Sequence, residues 1–201
     1  MTSILKKEFY LRENVVKIAQ ELLGKILYTN IDGMLTAGII TETEAYEGIT
    51  DKASHAYGGR RTARTEIMYA EGGVSYVYFT YGMHYLFNVI TNKKEIPHAV
   101  LIRGIYPFIG TGIMLKRTGK QKVDEKLTNG PAKLTKALGI TKAQNGLSLI
   151  TGKEVWIEDH GLVIKPEHFT ASPRIGIAYA EEDALLPYRF NLTTKNFLEM
   201  L

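Results

Sequence analysis

Between Val74 and Ile90 the chain is dense in aromatic and β-branched residues, with Gly82 at the middle. Residues of these types favour extended, paired backbone. A central glycine gives the chain a place to reverse. The stretch therefore predicts a β-hairpin whose tip carries Tyr81, Met83, His84 and Tyr85. Turns are normally polar, and large apolar side chains left exposed tend to mark a contact surface. Two readings follow: an aromatic hairpin buried in the core, or an arm that presents its tip to a partner. A turn centred on Met83 would set Tyr78 opposite Asn88 across the hairpin, and would leave Val77, Phe79 and Leu86 to the core.

The rest of the chain reads as further strands and a few helices. Asn14 can cap a helix running to about Leu23, with Val15, Ile18, Ala19 and Leu22 at helical spacing and Gly24 as its stop. Residues 26–29 and 34–46 read as strands joined by a turn at 30–33. Residues 99–105 read as another strand, and 109–117 as a weak helix interrupted by Gly110 and Gly112. Pro131 opens a helix that Gly139 closes. Strands are expected at 147–150, 155–158, 162–164 and 174–179, and a loop without fixed structure at 116–126. Pro187 to Phe190 leads into a short tail.

A length of 201 residues with 45% hydrophobic content suits one domain with a real core. No apolar run is long enough to span a bilayer, and Lys6, Lys7 and Glu8 stand where a signal peptide needs apolar residues. The expectation is a soluble, cytoplasmic protein. There is no cysteine, which excludes disulfides, thiolate zinc sites, iron–sulfur clusters and cysteine nucleophiles. The five histidines include no pair at helical ligand spacing, so neither a metal nor a cofactor is expected. The net charge of +4 is compatible with a polyanionic partner without pointing to one. More informative are Arg60, Arg61 and Arg64, close together in a glycine-containing stretch, and the cluster of Lys116, Arg117, Lys120, Lys122 and Lys126. Each is either a solvated loop or a phosphate contact.

The strand at 34–46 is apolar until it runs into Glu42 and Glu44. Alternation puts Glu42, Glu44 and Tyr46 on one face. A carboxylate at the end of a buried strand has its pKa raised by the apolar surroundings and its position fixed by the backbone, which suits acid–base work. The plain alternative is a strand end emerging into water. Arg103, set among Val100, Leu101, Ile102 and Ile105, is either surface-facing or paired in a polar site.

Taken together, Glu42-Thr43-Glu44-Ala45-Tyr46, His55 with Gly58-Gly59-Arg60, Tyr76-Val77-Tyr78 with Tyr81-Gly82-Met83 and Asn88, Val100-Leu101-Ile102-Arg103, Asn129-Gly130-Pro131-Ala132-Lys133-Leu134 and Arg174-Ile175-Gly176 closely resemble the alkyladenine (3-methyladenine) DNA glycosylase family. They follow the family's order over most of the chain. The resemblance implies an α+β fold: a single compact domain with a curved antiparallel sheet, flanking helices and a protruding, DNA-inserting hairpin.

It also implies a monofunctional enzyme, acting as a monomer on double-stranded DNA with damaged purines, that cuts the bond between base and deoxyribose. In a bacterial cell such a protein would lie with the nucleoid, in a eukaryotic one in the nucleus. By likeness, Glu44 is the general base, and Arg103 lies near the catalytic water and the DNA backbone. Tyr46, His55 and Tyr78 sandwich the extruded base, and Asn88 sits near the purine 2-position. Tyr81 enters the minor groove, with Met83 able to widen the wedge, while Arg60, Arg61 and Arg64 hold phosphates. Glu42 is the nearest rival to Glu44, better suited to be the partner of a basic residue. The alternative from another class is a non-catalytic binder of damaged DNA built on the same hairpin, which would not need a carboxylate facing a polyanion.

Overall fold

The computed structural model describes residues 2–192. A short strand β1 (Ser3–Ile4) and a single helical turn α1 (Lys7–Tyr10) precede helix α2 (Val15–Leu22). Asn14 caps α2 through its side chain, which accepts from the Lys17 N–H at 2.8 Å. The strands β2 (Ile26–Ile31) and β3 (Met34–Tyr46) form a hairpin turned by Asp32 and Gly33, both at positive φ. That two-residue turn is tighter than the four-residue one the sequence suggests, because Asn30 and Ile31 stay paired with Leu35 and Met34. Then come β4 (Ser75–Thr80), β5 (His84–Thr91) and the long β6 (His98–Ile109). Helices α3 (Thr111–Thr118) and α4 (Pro131–Leu138) follow, and β7 (Val155–Asp159), β8 (Phe169–Ser172) and β9 (Arg189–Leu192) close the described chain.

All pairings are antiparallel, in the order β1-β7-β2-β3-β6-β5-β4, and β8 and β9 branch from β3. The branch is possible because β3 is long. Residues 34–39 of β3 take β2 as their neighbour, and Glu42, Thr43 and Glu44 take β9. Register shifts between Ile40 and Thr43 break the β3–β6 ladder at the same place. A bulge bends its strand and re-aims side chains, so the sheet curls where the two glutamates emerge. Helix α2 packs on β3, where the Thr43 hydroxyl donates to the Ala19 carbonyl at 2.8 Å, and α4 packs on β5 and β6. The main core lies between the sheet and these helices and includes Ile18, Leu22, Phe87, Ile102, Leu138 and Phe190. Each such side chain contributes about 1.5–3 kcal/mol by leaving water. Among the described residues, no helix is long and apolar enough to cross a membrane.

Several sequence expectations need correction. The stretch 147–150 forms only one bridge, Ser148 to Val74. Residues 162–164 are coil, with Ile164 lying so close over Gly24 that a Cβ there would meet it at 2.8 Å. Residues 174–179 do not form a strand either, since Gly176 has φ 77 and Arg174 is drawn inward to Asp51. The basic stretch after α3 closes on itself: Asp124 caps Lys126, and the Lys120 ammonium donates to the Lys126 carbonyl at 2.6 Å. At the hairpin the turn centres on Gly82 rather than Met83. Tyr78 therefore faces Leu86, and Asn88 faces Tyr76. Phe79 is half exposed and packs against Tyr85, because its face of the hairpin runs past the edge of the core near the tip.

Candidate active site

Glu44 is completely buried. Its Oε2 accepts from the Tyr46 hydroxyl at 2.8 Å, its Oε1 accepts from the Ile175 N–H at 2.9 Å, and the Arg103 Nε lies 3.4 Å from Oε1. Strand alternation explains the first contact, since Glu44 and Tyr46 share a face of β3. Pairing with β6 brings Arg103 across, and the loop before β9 supplies Ile175. Burial pushes the Glu44 carboxyl above the ordinary carboxylate range, and Arg103, the Ile175 N–H and the Tyr46 hydroxyl oppose that rise. Tyr46 itself is pushed well above the ordinary phenol by burial and by Glu44, so it remains a donor.

Glu42, on the same face, is differently placed. It accepts from Arg103 at 3.0 Å and from the Arg189 Nε at 2.6 Å. Two guanidinium groups thus share it, which is a structural role. Arg103 bridges the two glutamates, and its own side chain is mostly buried.

The three groups holding Glu44 line a cavity of about 350 Å³, walled also by His55, Tyr76, Tyr78, Leu86 and Asn88 and rimmed by Arg64, Tyr81 and Tyr179. Its walls carry five tyrosines and two histidines. The His55 and Tyr78 rings meet edge to face at 4.7 Å, and the His55 Nδ1 is 2.9 Å from the Tyr76 hydroxyl. Burial and the nearby Arg64 and Arg60 pull the His55 pKa down to about 4. The ring is therefore neutral at physiological pH. Asn88 is almost fully buried, with its amide nitrogen donating to the Tyr76 carbonyl at 3.1 Å.

On the hairpin tip, Tyr81 at the rim and Met83 beyond it are 85% and 68% exposed. Tyr81 adopts φ 50 ahead of Gly82 at φ 68, and the Met83 N–H closes the turn on the Thr80 carbonyl. A left-handed bulky residue is a conformational outlier, disfavoured by about 1–2 kcal/mol. Arg60, Arg61 and Arg64 are all exposed, and Arg64 lines the cavity mouth. Arg61 is engaged by Glu66 and Glu95 and lies over Tyr69, so it is the least available of the three. The Arg64 guanidinium lies 4.9 Å from the Tyr78 ring centre and 3.4 Å from the His55 Nε2.

The structure thus brings Tyr46, His55, Tyr78, Asn88, Arg64 and Arg103 to one cavity, with Glu44 buried behind Tyr46, Arg103 and Ile175. Reading the sequence brought in Tyr76 only as part of a family motif, and gave no site role to Asp51, Tyr76, Tyr179 or Arg189. It also took Arg174 for a strand residue, whereas Arg174 forms a buried ion pair with Asp51 beneath the cavity wall. A charge followed by apolar residues signals burial and a partner, but nothing in a loop marks Asp51 as that partner.

The chain matches the family model of Methylpurine-DNA glycosylase (MPG) over residues 8–196. It is 45% identical to a protein of Clostridium perfringens (strain 13 / Type A) over 96% of this chain and 98% of that one. Against a Chlamydia abortus protein it is 46% identical over 96% of this chain and 100% of the other. The Chlamydia felis counterpart is 48% identical, covering 96% and 97%. All three are provisionally named 3-methyladenine DNA glycosylases. With a match across nearly its full length and the expected side chains gathered around one cavity, the chain belongs to the methylpurine-DNA glycosylase family.

Proposed function

We propose that this chain rotates a damaged purine, alkylated or deaminated, out of duplex DNA into the aromatic cavity and hydrolyses its glycosidic bond with water activated by Glu44. Its family is one of DNA glycosylases, hydrolases of N-glycosidic bonds. The observation that carries the finer reading is the buried carboxylate of Glu44, held by Tyr46, Arg103 and the Ile175 N–H, all three of which line the aromatic cavity.

A base inside a duplex cannot be reached, and extruding it takes a few kcal/mol. Tyr81 is suited to fill the space it leaves, as bulky side chains do in minor-groove proteins. Arg60 and Arg64 can hold phosphates, which fix register without reading sequence. Alkylation makes the purine cationic, and a cation between Tyr46, Tyr78 and neutral His55 gains about 0.5–2 kcal/mol from the aromatic faces. The leaving base produces an oxocarbenium-like sugar. Anionic Glu44 stabilises that charge and takes a proton from the attacking water. Arg103 favours the anionic form of Glu44 by charge. Among the described residues no lysine lines the cavity, and the Lys133 ammonium is engaged by Asn129 at 2.9 Å on the outside of α4. A Schiff-base nucleophile therefore has no candidate here, which supports hydrolysis without strand cleavage.

The test is incubation with duplexes that each hold one lesion, scored for alkali-labile abasic sites. Wild-type protein is expected to produce them. Glu44→Gln is expected to bind the same duplexes and to lose about 10²–10⁴-fold in single-turnover excision. Full excision by Glu44→Gln would move the base elsewhere, first to Glu42. Binding without abasic sites in the wild type would make the chain a damage-binding protein.

A further inference from the structure

We infer that the buried Asp51–Arg174 pair is a positioning device for Glu44, holding the loop whose Ile175 N–H grips the carboxylate and backing the ring of Tyr46. This rests on Glu44 being the general base. The Arg174 and Asp51 side chains are 0% and 2% exposed. The Arg174 Nη2 donates to Asp51 Oδ1 at 2.9 Å and to the Asp183 carbonyl at 3.1 Å, while Nη1 donates to Asp51 Oδ2 and, at 2.9 Å, to the Ala45 carbonyl. One guanidinium fork thus ties together the end of β3, the loop that follows it and the loop before β9. Its carbon also lies 4.8 Å from the Tyr46 ring centre and 5.4 Å from that of Tyr188.

The next residue, Ile175, donates its N–H to Glu44 Oε1 at 2.9 Å. Arg174 therefore reaches both known neighbours of Glu44 on this side: Ile175 through the backbone, and Tyr46 through its ring. A buried ion pair is poor evidence of stability, since apolar residues of the same volume often do as well. What they would not reproduce is a planar fork with fixed bond directions. The geometry of the fork, rather than its charge, is what the site uses.

The groups facing Glu44 are Glu42 and Tyr46 on its own strand, Arg103 on β6, Tyr78 on β4, and Arg174 with the Ile175 N–H on the loop. Arg103, the Ile175 N–H and the Tyr46 hydroxyl favour the ionised carboxylate against burial. Loosening the loop removes one of the three and weakens another, so the carboxylate gives up its proton at higher pH.

The test is Arg174→Lys, which keeps the positive charge near Glu44 and loses the fork. Its affinity for an uncleavable lesion duplex is expected to change by less than about threefold, because the pair is buried away from the surface. Single-turnover excision at pH 6 is expected to fall by about tenfold or more. The acid limb of the pH–rate profile should move up by about half a unit or more. Amide exchange at Ile175 should quicken. A folded Arg174→Lys with wild-type acid limb and wild-type Ile175 protection overturns the inference. If that variant does not fold, the wild type decides. The Ile175 amide nitrogen shift should titrate with Glu44 and become flat in Glu44→Gln, and an Ile175 amide indifferent to Glu44 overturns it equally. Excision surviving in Glu44→Gln would instead sink the general-base reading, and the amide titration is read independently of that result.

Discussion

Asn88 and Tyr76 stand opposite each other across the β4–β5 hairpin, and the Asn88 amide nitrogen donates to the Tyr76 carbonyl at 3.1 Å. That bond fixes the side chain at the cavity wall, between strands that hold it on both sides. A wall residue locked in this way excludes by bulk, and exclusion discriminates when the rejected group has nowhere else to go. The expected victim is the exocyclic amino group of normal guanine. Asn88→Ser removes bulk and is expected to raise release of guanine from undamaged duplex by roughly tenfold or more. The check is free guanine quantified by chromatography after long incubation. An unchanged release rate would reject Asn88 as the filter.

Glu44 yields a paired prediction for activity and stability. Its folded pKa is raised by burial, so the folded protein binds that proton more tightly than the unfolded chain does. Its contribution to stability is therefore present at low pH and lost as pH rises through the folded value. At neutral pH the ionised form is a burden that Gln does not carry, and Arg103 is not orphaned by the change because it keeps Glu42 at 3.0 Å. Glu44→Gln is expected to melt about 2–4 °C higher at pH 7.5, the shift that about 1 kcal/mol gives a chain of this size. Excision by the wild type should fall off on the acid side at a pH above the ordinary carboxylate range. Calorimetry at pH 7.5 and a pH–rate profile check both. A lower melting point in Glu44→Gln would mean that its pairing with Arg103 outweighs its burial.

Much of this site was legible in the sequence for a physical reason. Strand alternation has a period of two, so Glu42, Glu44 and Tyr46 could be put on one face without coordinates, and the two glutamates do meet at Arg103 while Tyr46 donates to Glu44. The capped helix α2 and the Pro131–Gly139 helix were legible because their end signals are local. The strands β8 and β9 were not, since Arg189 and Asn191 look like loop residues until β3 pairs with them. A turn centred on Met83 rather than Gly82 is one residue off and shifts each cross-strand partner by two, so that Tyr78 meets Leu86 and not Asn88; aromatic residues on both sides of Gly82 make the two centres hard to tell apart. Asp51–Arg174 was out of reach, because 123 residues separate the partners and only the curled sheet brings them together.

His55 is held neutral by burial, with Arg64 and Arg60 adding to the effect, and its pKa is pulled down to about 4. Between that value and the ordinary histidine value of about 6.5 the unfolded chain carries a proton that the folded protein does not. Stability is therefore lost as pH falls through this window. Arg64→Gln removes a cation 3.4 Å from the His55 Nε2. It is expected to raise the His55 pKa and to shrink the loss of stability between pH 6.5 and pH 4.5. Proton NMR of the His55 ring and melting curves across this range are the measurements. A His55 titration unmoved by the substitution would show that burial and Arg60 hold it down without Arg64.

Tyr81 joins a conformational penalty to an exposed ring. At φ 50 it sits where bulky residues are disfavoured, and 85% of its surface faces solvent. Folding gains little from such a residue, so its reason must lie in what it meets. Asparagine tolerates the left-handed region far better. Tyr81→Asn is therefore expected to leave the melting point unchanged or raise it by a few degrees, since the backbone is relieved of about 1 kcal/mol. With Tyr81 as the proposed wedge, the same variant should populate the extruded state less. Fluorescence of an ethenoadenine duplex, which brightens when the base leaves the stack, reads this directly. A stable Tyr81→Asn variant that flips ethenoadenine as fully as the wild type would end the wedge reading. A destabilised one would show that the tyrosine serves the hairpin rather than the DNA.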